Sequence, residues 1–501
     1  MQREWPYIDS AWLMVRKGFS FAARVVSWLV VLNCLGSTVY AQIASTDLPG
    51  PLIPFSNRKA AEIVLKGRDQ LRVLVEKDLI LDGLNYPRVC AWVSPEGYKQ
   101  LEVEGWSISW LPPEAEPAPI GIPKGSLAFP LEAYPTYDQI GALLEEYALN
   151  YSSLCRVESI GSSAEGRNLW VIRITDHPEI EEDEPECKLI STIHGNETLG
   201  TVVMLDLVHE LLTEYENDLR IRHLVDETEI WILPLMNPDG YSHTPRARFN
   251  YNGYDLNRNF PDRVEDPANT TAGRQPETSA VMEFTRDHSF VLSANFHTGS
   301  QVVNYPYDSS AYWNTWKHPD WYTPDQDVFV QNSLAYSTHN PLLYSSGQFP
   351  QGISNGLEWY QINGGMQDWN YVWHRSMEVT IELSNLFSPP ASQLVSHWEA
   401  NRESLLSYLE QSRIGIRGII RNSQNGKPIP ASVEVSGREG LVHTDPQVGD
   451  YHRLLLPGTY TLQIQAQGFY PLTVHGVAVQ SGTASRVDVD LDPAYSGWLI
   501  Y

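Results

Sequence analysis

A chain of 501 residues, 42% of them hydrophobic, has material for two to four domains and a full core. Its 61 acidic against 35 basic residues give a formal charge of −26 with no Lys/Arg cluster, which argues against nucleic acid as a partner and leaves basic ligands tolerated or attracted. Part of that charge lies in residues 179–186, which read as a solvated loop.

At the N-terminus, Arg16, Lys17 and Arg24 flank the start of an apolar run over residues 25–35, and Val39-Tyr40-Ala41 fits a small-residue cleavage site. Residues 1–41 are therefore expected to be an export signal, sending the protein to the periplasm or the cell exterior. Met14 makes a more natural start than Met1, because the basic residues then follow at once. The run is too short to span a bilayer, and no other stretch offers a stable membrane span. Cys90, Cys155 and Cys187 remain after cleavage. They allow one disulfide, with Cys155 and Cys187 as the candidate pair, or three buried thiols.

Residues 57–111 read as a small α+β module. A strand over 63–65, a helix over 68–77, a strand over 88–93, a helix over 95–105 capped by Ser94 and a strand over 107–111 make a strand–helix repeat of ferredoxin-like size. Pro112, Pro113, Pro117 and Pro119 then form a stiff linker, so residues 42–123 are expected to be one unit. Propeptide, inhibitory domain and docking domain are all compatible with this pattern.

Over residues 130–413 strands alternate with helices. Thr136 caps a helix running to residue 147, and strands follow at 156–160 and 169–175. Residues 188–193 form an apolar strand and 198–215 an apolar helix. A mostly apolar, hence central, strand covers 228–235. A helix over 276–288 has Pro276 in its first turn, where a missing N–H costs nothing. A strand at 290–296, a helix within 322–339, a strand at 377–383 and a helix at 394–411 complete the series. This order predicts an α/β/α sandwich with a mixed sheet, whose ligands bind outside the strand ends. Residues 414–493 change character: strands at 416–421, 432–435, 460–465 and 486–491, separated by turns such as Asn425-Gly426 and Pro457-Gly458, predict a small all-β sandwich.

Chemically capable residues gather in four stretches at strand ends or in following loops. His194 and Glu197 stand three apart on a strand-to-helix turn, where zinc can take a nitrogen from one and an oxygen from the other. Alone, the pair reads more simply as a loop histidine beside a helix-capping glutamate. The second stretch is RFNYNGYDLNRNFP at 248–261. The third, SANFHTG at 293–299, ends a strand in His297. The fourth, EVTIELS at 378–384, sets Glu378 and Glu382 among apolar residues on one strand face.

With NPDG at 237–240 and GGMQDWNY at 364–371, these stretches resemble the zinc carboxypeptidases of the funnelin type, in particular the regulatory carboxypeptidase E/N/D/M branch. That branch carries a transthyretin-like β-sandwich after the catalytic domain, in the place of residues 414–493. The resemblance covers residues 134–493 and leaves out the module at 57–111. It implies an exported, monomeric zinc metallocarboxypeptidase acting on peptide or protein C-termini. His194, Glu197 and His297 would hold one zinc and leave a fourth position for water. Glu382 would be the general base, with Glu378 its rival on the same face. Arg248 would stabilise the oxyanion; Arg246 is the alternative, disfavoured because Arg248 stands nine residues before Asn257 as in the branch. Asn257 and Arg258 would grip the terminal carboxylate, and Tyr360 would close over it. Asp308 and Gln367 would receive a C-terminal arginine or lysine side chain. Thr298 departs from the branch pattern, which often has glycine after the third ligand.

Overall fold

The computed structural model describes residues 57–112, apart from 68, 76 and 78, and residues 128–494. The expected export signal and most of the proline-rich linker lie outside the described residues.

The N-terminal module contains β1 (Lys59–Val64), α1 (Asp69–Val75), β2 (Leu79–Asn85), β3 (Arg88–Val93), α2 (Pro95–Val103) and β4 (Ser107–Trp110). Its antiparallel sheet has the order β2-β3-β1-β4, the ferredoxin-like arrangement expected from the repeat. Ser94 caps α2, its hydroxyl accepting the Gly97 amide at 3.0 Å. Strand β2 was absent from the sequence reading because Asp82-Gly83 is a turn signal. The sheet absorbs it as a bulge instead: Leu81 faces Ala91, Gly83 faces Cys90, and Asp82 is the extra residue.

The central layer is an eight-stranded mixed sheet of β5 (Cys155–Ser162), β6 (Asn168–Ile174), β7 (Glu186–Ser191), β8 (Glu229–Leu233), β9 (Leu292–His297), β10 (Ser300–Tyr305), β11 (Ile353–Asn355) and β12 (Met377–Ser384). The order is β11-β10-β12-β9-β7-β8-β6-β5. The four strands β12, β9, β7 and β8 run parallel and are buried along their whole length, which is why they read as continuous apolar runs. The expected strands at 188–193 and 290–296 lie within about three residues of the observed β7 and β9. Alternate residues divide between the two faces. Leu189, Ile232 and Ile381 join the apolar layer of α3 (Tyr137–Asn150), α4 (Leu199–Thr213), α5 (Leu219–Val225), and residues such as Leu405 further on. Ile190, Trp231 and Leu233 join the opposite layer with Val281 and Phe284 of α6 (Pro276–Arg286). Helix α5 and strand β10 are additions to the expected series. Helices α7 (Gln326–Ser337) and α8 (Leu394–Leu409) complete the layer around the first face.

Residues 415–491 form two four-stranded sheets packed on Ile416, Ile420, Val433, Leu462 and Ile464, an all-β sandwich as expected. The strand expected at 486–491 is two strands, Ala484–Arg486 and Val489–Leu491. The sandwich is tied to the start of α7 by the buried Arg453, whose guanidinium donates to both Asp325 oxygens at 2.8 and 2.9 Å. Cys155 and Cys187, the candidate pair, are not bonded to each other but are buried free thiols, and burial pushes both up to about 12. Among the described residues, no helix is long and apolar enough to cross a membrane.

Candidate active site

Because β12, β9 and β7 are parallel, their carboxyl ends emerge side by side. His297 is the last residue of β9, and Glu382 lies beside it in register on β12. Strand β7 stops at Ser191, and Thr192 turns the chain through a left-handed conformation (φ 55°), its hydroxyl donating to the Glu197 carbonyl at 3.1 Å. The loop holding His194 and Glu197 then presses against the start of a short helix, Pro238–Ser242, capped by Asn237. A side chain on Gly195 would run into the backbone of Gly240, and one on Gly240 would meet the Ala247 carbonyl at 2.5 Å. Asn237 ties the same segments together, accepting the Gly240 amide at 2.9 Å and donating to the Arg248 carbonyl at 3.1 Å.

These constraints bring His194, Glu197 and His297 to one point. His194 Nδ1 lies 2.7 Å from Glu197 Oε1, His297 Nδ1 2.9 Å from Glu197 Oε2, and the two Nδ1 atoms 3.1 Å from each other. All three side chains are buried. His194 Nε2 faces Asp255 Oδ1 at 3.0 Å, a carboxylate partner that favours a proton on Nε2 and so makes Nδ1 the nitrogen available to an ion. Two imidazole nitrogens and a carboxylate converging at hydrogen-bond distance are three electron-pair donors with a cation's place between them. The donor set therefore fits zinc.

Arg248 is buried beside this point. Its guanidinium donates to Glu197 Oε1 at 3.1 Å, to Asp255 Oδ2 at 3.1 Å and to the Asp82 carboxylate. Burial works against its charge, but Asp82, Asp255 and Glu197 together raise its pKa. The rival Arg246 lies elsewhere, its guanidinium 4.6 Å from the Tyr241 ring centre and 5.4 Å from that of Tyr134. Glu382 is 6% exposed, and its Oε2 has no hydrogen-bond partner; burial, then the charges of Glu197 and Asp82, push its carboxyl well up. Glu378, four residues back, is committed to structure: it accepts from Asn295 at 2.9 Å and Asn370 at 2.5 Å, with the Lys188 charge nearby.

Asn257 Oδ1 accepts the Met366 amide at 3.0 Å, and Arg258 donates to the Asn257 carbonyl at 2.8 Å and the Leu81 carbonyl at 2.9 Å. Tyr360 is buried, within the field of Arg258, Glu382, Asp82 and Arg248. Asp308 is buried with Oδ1 bonded to Asn304 at 3.0 Å, and its backbone amide donates to Asp368 at 2.9 Å. A β-carbon on Gly365 would stand 3.7 Å from both Asp308 Oδ2 and Asn257 Oδ1, so these two oxygens face one small space. Gln367 lies between Met366 and Asp368 in the chain, and neither polar atom of its buried amide has a partner. His194, Glu197, His297, Arg248 and Glu382 thus fall in one region, with Asn257, Arg258, Tyr360 and Asp308 around it, while Arg246 points away. Two neighbours were not singled out: Asp255, which sits inside the 248–261 stretch and is legible there only as one more polar residue, and Asp82, which is remote in the chain.

A parallel sheet that delivers two histidines, a carboxylate and a second carboxylate with one oxygen unpartnered to the carboxyl ends of its central strands defines a metal-dependent hydrolase. The zinc carboxypeptidase family model matches residues 140–404, and that of the carboxypeptidase regulatory-like domain matches residues 415–492. Carboxypeptidase M of Mus musculus is 40% identical over 343 residues, 65% of this chain and 76% of that protein. The catalytic chain of human carboxypeptidase N is 39% identical, covering 68% of this chain and 81% of its own length. Human carboxypeptidase D is 39% identical over 366 residues, and the match spans 26% of its length. Among solved structures, carboxypeptidase A from Helicoverpa armigera superposes with a TM-score of 0.58 at 17% identity, over 72% of this chain and 98% of that one, a likeness of fold. The chain belongs to the zinc carboxypeptidase family: it is a zinc-dependent peptide hydrolase acting at peptide C-termini.

Proposed function

We propose that the protein removes C-terminal arginine or lysine from peptides. The observation that carries this reading is the pair of oxygens from Asp308 and Asn257 on either side of Gly365, with the unpartnered amide of Gln367 two residues further along the chain. Burial, then the Asp368 charge, push the Asp308 carboxyl well up, so without a guest this carboxylate is held at a cost. A guanidinium or ammonium group restores its ionised form and gives Gln367 a partner, whereas an apolar side chain does neither.

His194, Glu197 and His297 would hold the zinc, which when bound polarises the scissile carbonyl and acidifies water. Glu382, one strand from His297, takes the proton of the attacking water and returns it to the leaving amine. Arg248 faces the developing oxyanion. Asp255 holds both the His194 ring and the Arg248 guanidinium in place. Asn257, Arg258 and Tyr360 clamp the free carboxylate, which restricts cutting to the chain end. The basic patch over residues 16–24 and the apolar run after it support export. N-terminal sequencing of the secreted protein checks cleavage after Ala41.

The reading is tested with short peptides differing only in a C-terminal Arg, Lys, Phe or Glu, with and without a chelator. The expected order places Arg and Lys at least about a hundredfold above Phe in kcat/KM. Equal rates on Phe would remove Asp308 from the specificity pocket.

A further inference from the structure

The acidic run over residues 179–186, expected to be a solvated loop, is folded in at its carboxyl end: residues 181–184 are half-buried, and Pro185 and Glu186 are buried. It leads into β7 at the end of the sheet remote from His194, and there it meets the β-sandwich. The sandwich strand Asp450–Arg453 pairs with the strand Gly415–Asn422. Asp450 and His452 stand two apart on it and so share a face. His452 Nε2 lies 2.9 Å from Asp450 Oδ2 and 4.0 Å from Asp183 Oδ1. The Asp450 side chain is 6% exposed and that of His452 9%. Asp183 Oδ1 and Asp450 Oδ1 are both buried and have no hydrogen-bond partner. Glu186 Oε2 is a third such oxygen, and Glu186 lines a cavity of about 490 Å³ at this junction together with Asp450 and His452. Asp183 and Glu186 each lie within the field of Asp450.

Three carboxylates that turn bare oxygens into one junction repel each other and forgo their hydration. The neighbouring arginines do not answer them. Arg486 holds the other oxygen of Asp183 through Nη1 at 2.5 Å and also donates from Nε to Asp488 at 2.9 Å, so its charge is divided. Arg417 stands 3.8 Å from Asp183 Oδ2. A His452 proton shared with Asp450 Oδ2 leaves all three bare oxygens as they were. Around a six-coordinate ion with bonds of about 2.1 Å, neighbouring donors lie about 3.0 Å apart and opposite ones about 4.2 Å, close to the two separations found. One imidazole with two carboxylates is a mixed nitrogen and oxygen set that suits a divalent first-row ion such as manganese, and the cavity has room for the waters that complete its shell. We propose that Asp183, Asp450 and His452 form a second metal site, which takes such an ion and fastens the β-sandwich to the amino end of the central sheet. Two ligands come from the sandwich and one from the α/β layer, so the ion is held only where the two are docked.

The test uses the full chain loaded with one equivalent of zinc. Mn²⁺ is titrated in, and the free ion is read by electron paramagnetic resonance for wild type, Asp450→Asn, His452→Gln and His177→Gln. The last variant alters the group of Asp176, His177 and Glu182, which has similar residue types but a His177 side chain that is 55% exposed. Wild type is expected to take up one Mn²⁺ without releasing zinc. Asp450→Asn and His452→Gln are expected to bind it at least about tenfold more weakly, while His177→Gln matches wild type. The melting temperature of wild type is expected to rise with Mn²⁺ concentration, as for any ligand of the folded state alone, and that of the two site variants to stay flat. No uptake, uptake matched by zinc release, uptake untouched by both site variants, or uptake lost in His177→Gln overturns the proposal. Asp450→Asn is nearly isosteric, and the melting of wild type with and without Mn²⁺ keeps the test open if a site variant does not fold.

Discussion

Glu378 and Glu382 show how far residue identity reaches. Both lie on the same face of β12 by parity, and nothing in the strand itself separates them. Their surroundings do: Glu378 is fully engaged by two asparagines near a buried lysine, whereas Glu382 keeps an oxygen without a partner beside His297. Glu382→Gln is expected to lower kcat by about 10³-fold or more while zinc content, measured by atomic absorption, stays at one per chain. Glu378→Gln is expected to retain most of kcat. The motif residues were legible in the sequence through the family resemblance that their stretches carry together, since the spacing of His194 and Glu197 alone reads more simply as a loop histidine beside a cap. Asp255 and Asp82 were not, because their importance comes from contacts 61 and 166 positions away in the chain.

At the level of elements, apolar runs and caps sufficed where a strand or helix is set by its own residues. The capping box of Thr136 and Gln139 starts α3 where expected. Reading failed where tertiary pairing decides, as in β2, whose Asp-Gly pair is a bulge and not a turn, and in β10, a strand with polar residues at both ends. Helix α4 carries a second kind of hidden information. Its Asp206 is buried, with one oxygen accepting the Leu131 amide at 2.8 Å and the other unpartnered. Burial pushes its carboxyl up to about 7. Because the folded state holds this proton more tightly than the unfolded chain, the stabilising contribution is complete below about pH 4 and is lost as pH rises towards 7. Asp206→Asn keeps an acceptor for Leu131 and has no charge to bury. It is expected to match wild type at pH 4 and to exceed it by about 2–4 kcal/mol at pH 8.5, read as a pH-dependent gap in denaturant midpoint.

For the whole molecule, the β-sandwich and the α/β layer meet through ion pairs with little exposure. Arg453 and Asp325 are both buried, and the Tyr371 hydroxyl adds a donor to Asp325 at 2.9 Å. Asp325→Ala leaves a buried guanidinium uncompensated and is expected to cost about 3–5 kcal/mol, seen as a lower melting temperature for both parts together. An isolated rise in mobility of the sandwich, with the α/β layer melting as before, would show that the two are independent. The class of each layer could be read from periodicity alone, whereas this junction could not, since single arginines and aspartates carry no sign of whom they will meet.

The pairing of Glu382 with His297 across adjacent strands has one more consequence. The proposed proton acceptor is spaced from the imidazole proposed to hold the ion by the main-chain ladder, a distance common to any sheet, while the groups proposed to choose a peptide sit on the loops beyond it. Loop variation can therefore retarget the enzyme to other chain ends and leave the bond-breaking step as it was inherited.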